Sequence, residues 1–162
     1  MNTESTGSQS VIGASDVSDW LVIDQEHLSE FGHSTYLDAQ YVDLTISKNN
    51  ALGPTLVDGF MLLSLLVYFD FAKPMLQTEG GYGFNYGFNR VRFTEPVFVN
   101  EAVRVRRTVI DVQQKTPTRQ LVTYDVVLEV QRDEPVTAMV AHWIVMAIDG
   151  AAELAAESAN PA

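Results

Sequence analysis

Cysteine is absent from the 162-residue chain, which excludes disulfides, zinc–thiolate sites and a thiol nucleophile. Positive charge is also scarce: 10 Lys and Arg stand against 21 Asp and Glu, a net charge of −11. Phosphate contact needs clustered cations, so no nucleic-acid partner and no membrane partner is expected. Long hydrophobic runs are missing too. Residues 60–72 are strongly apolar, but the run is too short to span a bilayer and is broken by Asp70, Lys73 and Pro74. The opening MNTESTGSQS carries neither a basic nor an apolar signal region, so the expected location is cytoplasmic. There is no G-x-S-x-G, P-loop or dinucleotide fingerprint, and Gly81-Tyr82-Gly83 with Gly87 has the wrong spacing for one. Without spaced histidines or a dense acidic loop, neither a cofactor nor a metal is expected.

Hydrophobic residues make up 46% of the chain, and its length suits one domain with a real core. Residues 1–16 are Ser/Thr/Gly-rich and 150–162 are Ala/Glu/Ser-rich, which reads as a disordered N-terminal tail and a flexible C-terminal one around a domain over 17–149. Ser18 or Asp24 can cap a short helix running through Glu26 to Phe31. Leu56 to Phe71 is apolar on nearly every side, which predicts a mostly buried helix that Pro74 ends. Four strand-like segments follow, over 84–93, 101–113, 119–131 and 137–148. Val103, Val105, Thr108 and Ile110 alternate as a half-buried strand does, as do Leu121, Thr123, Val126, Leu128 and Val130, each with a slip or bulge. One apolar helix and several long antiparallel strands predict an α+β fold in which the sheet covers the helix. Open sheet edges then predict closure by pairing two copies, hence a homodimer.

Three stretches carry a family resemblance: Gly83-Phe84-Asn85-Tyr86-Gly87-Phe88-Asn89-Arg90-Val91-Arg92-Phe93 with Pro96-Val97, Gly59 through Leu66, and Val140-Ala141-His142-Trp143. Over about residues 20–148 the chain resembles the MaoC-like dehydratases, single-domain hotdog proteins that include R-specific enoyl-CoA hydratases and a nodulation-protein-N-like branch. The resemblance implies a hotdog fold, a long central helix wrapped by a curved antiparallel sheet. It also implies addition or removal of water at a 2-enoyl or 3-hydroxyacyl thioester. In that family a D-x4-H motif sets an Asp and a His on one water, and backbone N–H groups at an Ala-His-Gly turn hold the thioester oxygen.

Here the first motif reads Asp38-Ala39-Gln40-Tyr41-Val42-Asp43, and the turn reads Val57-Asp58-Gly59-Phe60. The usual histidine is thus replaced by Asp43; an ungapped alignment from Gly59 instead puts Tyr36 and Tyr41 at the two positions. A solvated carboxylate titrates near 4 and is a poor acid at neutral pH. Two carboxylates in an apolar cleft split their pKa values and can serve as acid and base. Asp38 with Asp43, joined by Asp58, is therefore a candidate catalytic set, with Gly59 letting the acyl carbonyl approach the helix N-terminus. Asp43 is equally suited to capping a turn, and Asp58 to the first turn of the helix, where the dipole favours an anion. Phe60, Asn85, Tyr86 and Asn89, with Tyr36 and Tyr41, are candidate substrate contacts or plain strand and turn residues.

Of the three histidines, His33 lies five positions before Asp38 and offers a reversed acid/base pair if the chain bends there, or else a surface or capping role. His27 and His142 read as structural, and Trp20 and Trp143 as core or dimer-seam residues. Arg104, Arg106, Arg107, Lys115 and Arg119 read either as a solvated strand face or as a site for an anionic group such as a CoA phosphate. The leading functional expectation is a hydratase or dehydratase acting on an acyl-CoA or acyl-carrier-protein thioester. The alternatives are a non-catalytic acyl-binding subunit of a heteromeric hydratase, or a repurposed pocket that cyclises or isomerises a bulky apolar small molecule.

Overall fold

The computed structural model describes residues 11–42, 55–76 and 80–159. Six strands, β1 (Ser15–Val17), β2 (Leu21–Val22), β3 (Tyr82–Phe93), β4 (Ala102–Thr116), β5 (Arg119–Val130) and β6 (Val136–Ile148), form one antiparallel sheet. Its order is β1-β4-β5-β6-β3, with β2 also pairing with β4. Among the described residues, three helices, α1 (Gln25–Ser34), α2 (Gly59–Ala72) and α3 (Gly150–Ala159), complete the α+β fold. The four predicted strands are all present within a few residues of their expected ends.

One face of the sheet is apolar because alternate residues point to it. Val103, Val105 and Val109 of β4, Tyr124, Val126, Leu128 and Val130 of β5, and Met139, Ala141 and Trp143 of β6 are all buried there. The alternation runs one register differently from the sequence expectation. Val103, Val105, Arg107 and Val109 face inward, whereas Thr108 is half-buried and Ile110 exposed on the other side. The irregularities in β4 come later, between Val109 and Asp111 and between Gln114 and Thr116 opposite β5, and another lies at Leu128/Glu129 between β5 and β6. An arginine at an inward position is what hid the pattern.

Helix α2 lies on this apolar face. Met61, Leu62, Leu66 and Phe69 are buried in the same cluster as the sheet residues, while Phe60, Tyr68 and Phe71 remain exposed. The helix starts at Gly59, three residues later than the hydrophobic run suggests, because Leu56 and Val57 are extended. Val57 N–H donates to Val97 O at 2.8 Å, Val99 N–H to Thr55 O at 2.9 Å, and Leu56 bridges Phe98. Asp58 then caps the helix, its carboxylate accepting from Phe60 N–H at 2.7 Å.

Order extends into both stretches read as tails. Ser15 and Asp16 belong to β1, pairing with Thr108 and Arg107 of β4. The reason is ionic. Arg107, with a side chain 0% exposed, is bound through Nε and Nη2 to both Asp16 oxygens at 3.0 and 2.6 Å, and through Nη1 to Asp70 at 2.7 Å. Its Nη2 also donates to Lys73 O at 2.6 Å, and Lys73 Nζ donates to Val17 O at 2.9 Å. These bonds join β1, β4 and the end of α2. Burial pushes the Asp70 carboxyl above its ordinary value although Arg107 opposes the shift.

At the other end, Glu153 of α3 accepts from Arg119 Nε at 2.7 Å, Arg119 Nη2 at 2.9 Å and Thr118 Oγ1 at 2.8 Å. The Arg119 guanidinium, helped by the Thr118 hydroxyl, holds the Glu153 carboxyl down at about 2, against an ordinary 4.5. A depressed acid contributes stability above its unfolded value and loses it as pH falls through the folded one. Docking of α3 is therefore expected to persist to pH 4.5 and to loosen on acidification towards pH 2. Hydrogen exchange of the α3 amides across that range should show it, and Glu153→Gln should show the loosened state already at neutral pH.

Candidate active site

The predicted site residues fall into three places. The first is the turn after α1. Asp24 caps this helix by accepting from His27 N–H at 2.8 Å, and the His27 ring contacts the same carboxylate, which gives His27 a local capping role. At the other end Leu37 N–H donates to Gly32 O at 2.7 Å and Tyr36 N–H to His33 O at 3.1 Å. This pair of bonds is a Schellman turn, in which the residue after the C-cap is left-handed and is usually Gly. Here that residue is Tyr36, with φ 62°. A bulky side chain in this region costs on the order of 1–2 kcal/mol.

The turn folds the chain back on the helix, and the bend places Asp38 against His33. Asp38 Oδ2 is 2.7 Å from His33 Nδ1, while Asp38 Oδ1 accepts from Gln40 N–H at 2.8 Å. Hydrogen bonding to His33, then to Gln40 N–H, holds the Asp38 carboxyl below its ordinary value even though desolvation opposes it. Tyr41 packs edge-on against Tyr36 with ring centroids 4.9 Å apart, and its ring lies 5.9 Å from that of His33. Asp38, Tyr36 and Tyr41 are thus brought together with a histidine. Asp43 lies outside the described residues.

The second place is the N-terminus of α2. Asp58 acts there as the N-cap, with its carboxylate on Phe60 N–H. Gly59 presents its α-carbon to the ring of Phe93, so that a Cβ at this position would meet three ring atoms at 3.0–3.1 Å. Phe60 is exposed and tilts towards Phe93 at 6.5 Å. Phe93, the last residue of β3, ends one of the stretches that carry the family resemblance, but nothing in the sequence set it against Gly59.

The third is β3, at the edge of the sheet. Asn85 Oδ1 accepts from Trp143 Nε1 at 3.0 Å, and the buried Trp143 ring stacks on Phe88 at 13°. Tyr86 and Asn89 are exposed on the same strand. Shifts of register against β6 fall at Asn85/Gly87 and Phe88/Arg90, and such bulges re-aim side chains along an edge. Phe31 of α1 rests on the buried cluster that includes Val57, Met61 and Leu62 of the second place and Trp143 of the third.

The basic cluster does not survive folding as one patch. Arg107 is buried among Asp16 and Asp70, Arg104 and Arg106 approach Glu129 at 2.7 and 3.6 Å, and Arg119 holds Glu153. Arg104 also sits over the Trp20 ring at 4.4 Å. His142, 3.4 Å from Asp125 on the outer sheet face, lies in β6 as expected. No helix among the described residues is long and apolar enough to cross a membrane.

A long apolar helix lying on one face of an antiparallel sheet is the arrangement of a hotdog protein. The chain belongs to the MaoC like domain family, which it matches over residues 13–131. It is 31% identical over 132 residues to nodulation protein N of Rhizobium leguminosarum bv. viciae, covering 80% of this chain and 81% of that one. It is 34% identical over 99 residues to 3-hydroxyacyl-thioester dehydratase Z of Mycobacterium tuberculosis strain H37Rv, covering 59% of this chain and 64% of that one. Among solved structures, the MaoC-like dehydratase from Rhodospirillum rubrum superposes with a TM-score of 0.65 at 16% identity, covering 85% of this chain and 92% of that one.

Proposed function

We propose that this protein adds water to, or removes it from, an enoyl or 3-hydroxyacyl thioester carried by CoA or a carrier protein, at an atypical carboxylate-based site. The observation that carries the reading is Asp38. The resemblance matches it to the family's acid when Asp38 to Asp43 is read as the motif, and the turn after α1 fixes both of its oxygens. Asp38 and Asp43 supply the carboxylates on the water side of the site, Asp58 and Gly59 shape the end of α2 where the thioester oxygen gathers charge, and that helix end favours the developing anion. Tyr36, Tyr41, Phe60, Asn85, Tyr86 and Asn89 line the acyl path. Two copies meet along β3 and the exposed Phe60, Tyr68 and Phe71 of α2, which closes the long edge that one subunit leaves open.

A second reading is favoured by the α2 terminus. Asp58 already occupies Phe60 N–H and Phe93 covers Gly59, which suits an acyl-binding subunit whose catalytic groups come from a homologous partner. A panel of short, medium and bulky trans-2-enoyl-CoA esters, followed by mass, separates the two. Gain of one water, with kcat lower by a factor on the order of 100 or more in a folded Asp38→Asn dimer, supports the hydratase. No gain on any ester from the folded protein sinks it and leaves the subunit or a cyclising or isomerising pocket. A monomer mass in solution at micromolar concentration overturns the dimer.

A further inference from the structure

Within the hydratase reading, on which this inference rests, we propose that His33 is the base and acid of the reaction and that Asp38 works through it as its positioning residue. The family pattern places the histidine after the acid. In this chain the spacing is reversed: His33 ends α1, five residues before Asp38, and only the turn at Tyr36 brings the two within 2.7 Å.

Geometry assigns the roles. Nδ1 of His33 faces Asp38 Oδ2, and the other oxygen of Asp38 is committed to Gln40 N–H. A carboxylate on one imidazole nitrogen holds the ring in a single orientation and tautomer, with the proton on the bonded nitrogen, and leaves the far nitrogen as a proton acceptor. Nε2 has no hydrogen-bond partner among the described residues, and the His33 side chain is 61% exposed. The carboxylate is the more enclosed of the two at 32%, which suits an orienting group behind a reacting one. Tyr36 and Tyr41 flank the pair with their rings. The left-handed Tyr36 is the strained residue that the turn requires, and strain of this kind concentrates at working sites.

The proton count balances without a further reagent. Nε2 takes a proton from water as the oxygen bonds to C3 of the enoyl thioester, and the C2–C3 π pair moves onto C2 and the thioester carbonyl. The imidazolium then delivers that proton to C2, so one water is added and the ring returns neutral. Asp38 stays ionised throughout and stabilises the transient imidazolium.

The test uses crotonyl-CoA and a decenoyl-CoA with the wild-type protein, His33→Ala, His33→Gln, Asp38→Asn and the His33→Ala/Asp38→Asn double variant. Alanine strengthens rather than weakens the end of α1. Both His33 variants are expected to lose about 10²- to 10⁴-fold in kcat. Added imidazole should restore part of the rate in His33→Ala, since the vacated position is open to solvent. Asp38→Asn should cost much less on the His33→Ala background than on the wild type, because residues that act as one unit are not additive. If the wild type adds water but His33→Ala keeps its rate, or if the two substitutions multiply independently, the role of His33 is overturned while the hydratase reading stands. If the wild type adds water to neither of these nor to any other ester of the short, medium and bulky panel, the hydratase reading falls and the role of His33 falls with it.

Discussion

Arg107→Ala is expected to cost about 3 kcal/mol of unfolding free energy, because it strands two partly buried carboxylates that the arginine now neutralises. The Arg107 side chain is fully buried, and four of its donors are used on Asp16, Asp70 and the Lys73 carbonyl. Removing it leaves Asp16 and Asp70 close to one another, and the proximity of Asp16 already raises the Asp70 carboxyl. Urea unfolding of the variant should show a large fall in midpoint, accompanied by early loss of β1, whose register opposite β4 includes the Asp16 to Arg107 pair. Replacing all three members by apolar residues of similar volume should recover much of the loss, since the penalty lies in the unpaired charge rather than in the missing attraction. A variant that unfolds at the wild-type midpoint would show the triad to be solvated.

Trp143→Ala should cost a similar amount, about 3–5 kcal/mol, as expected for a large aromatic removed from a closed core. Trp143 is 2% exposed. Its ring stacks on Phe88 of β3 and tilts against Tyr124 of β5, and its Nε1 donates to Asn85. The residue therefore ties the edge strand to the middle of the sheet. Trp143→Phe keeps one aromatic ring in the core and loses the rest of the indole with its donor to an exposed asparagine, so it should fall short of the alanine variant. Thermal unfolding of the two, with hydrogen exchange along β3, checks both statements. Equal losses would mean that a phenyl ring at this position holds the strand no better than none.

Much of the fold was legible because it follows from patterns that neighbouring residues share. The run through Leu62, Leu66 and Phe69 has nowhere to go but a core, and the alternating valines of β4, β5 and β6 mark strands of period two. Proline marked the end of the helix correctly at Pro74. The family resemblance was legible in the same way, from contiguous motifs around Gly59 and along β3.

What escaped were arrangements made by residues far apart in the chain or by a conformation that the residue type disfavours. Arg107 read as an outward cation, since nothing near it says that Asp16, 91 residues away, and Asp70 would meet it inside. The terminal stretches looked unable to fold by themselves, yet their described parts, β1 and α3, are tied to the sheet by backbone pairing with β4 and by Arg107 and Arg119. The bend that joins His33 to Asp38 lacks the glycine that announces such a turn, and Tyr36 takes the left-handed position instead. Sequence alone determined the hotdog class, the central helix and the presence of an acid at position 38, because local periodicity and contiguous motifs encode them. Packing in three dimensions decided which charges are buried and which histidine reaches the acid, because those depend on long-range pairing and a turn geometry that composition does not specify.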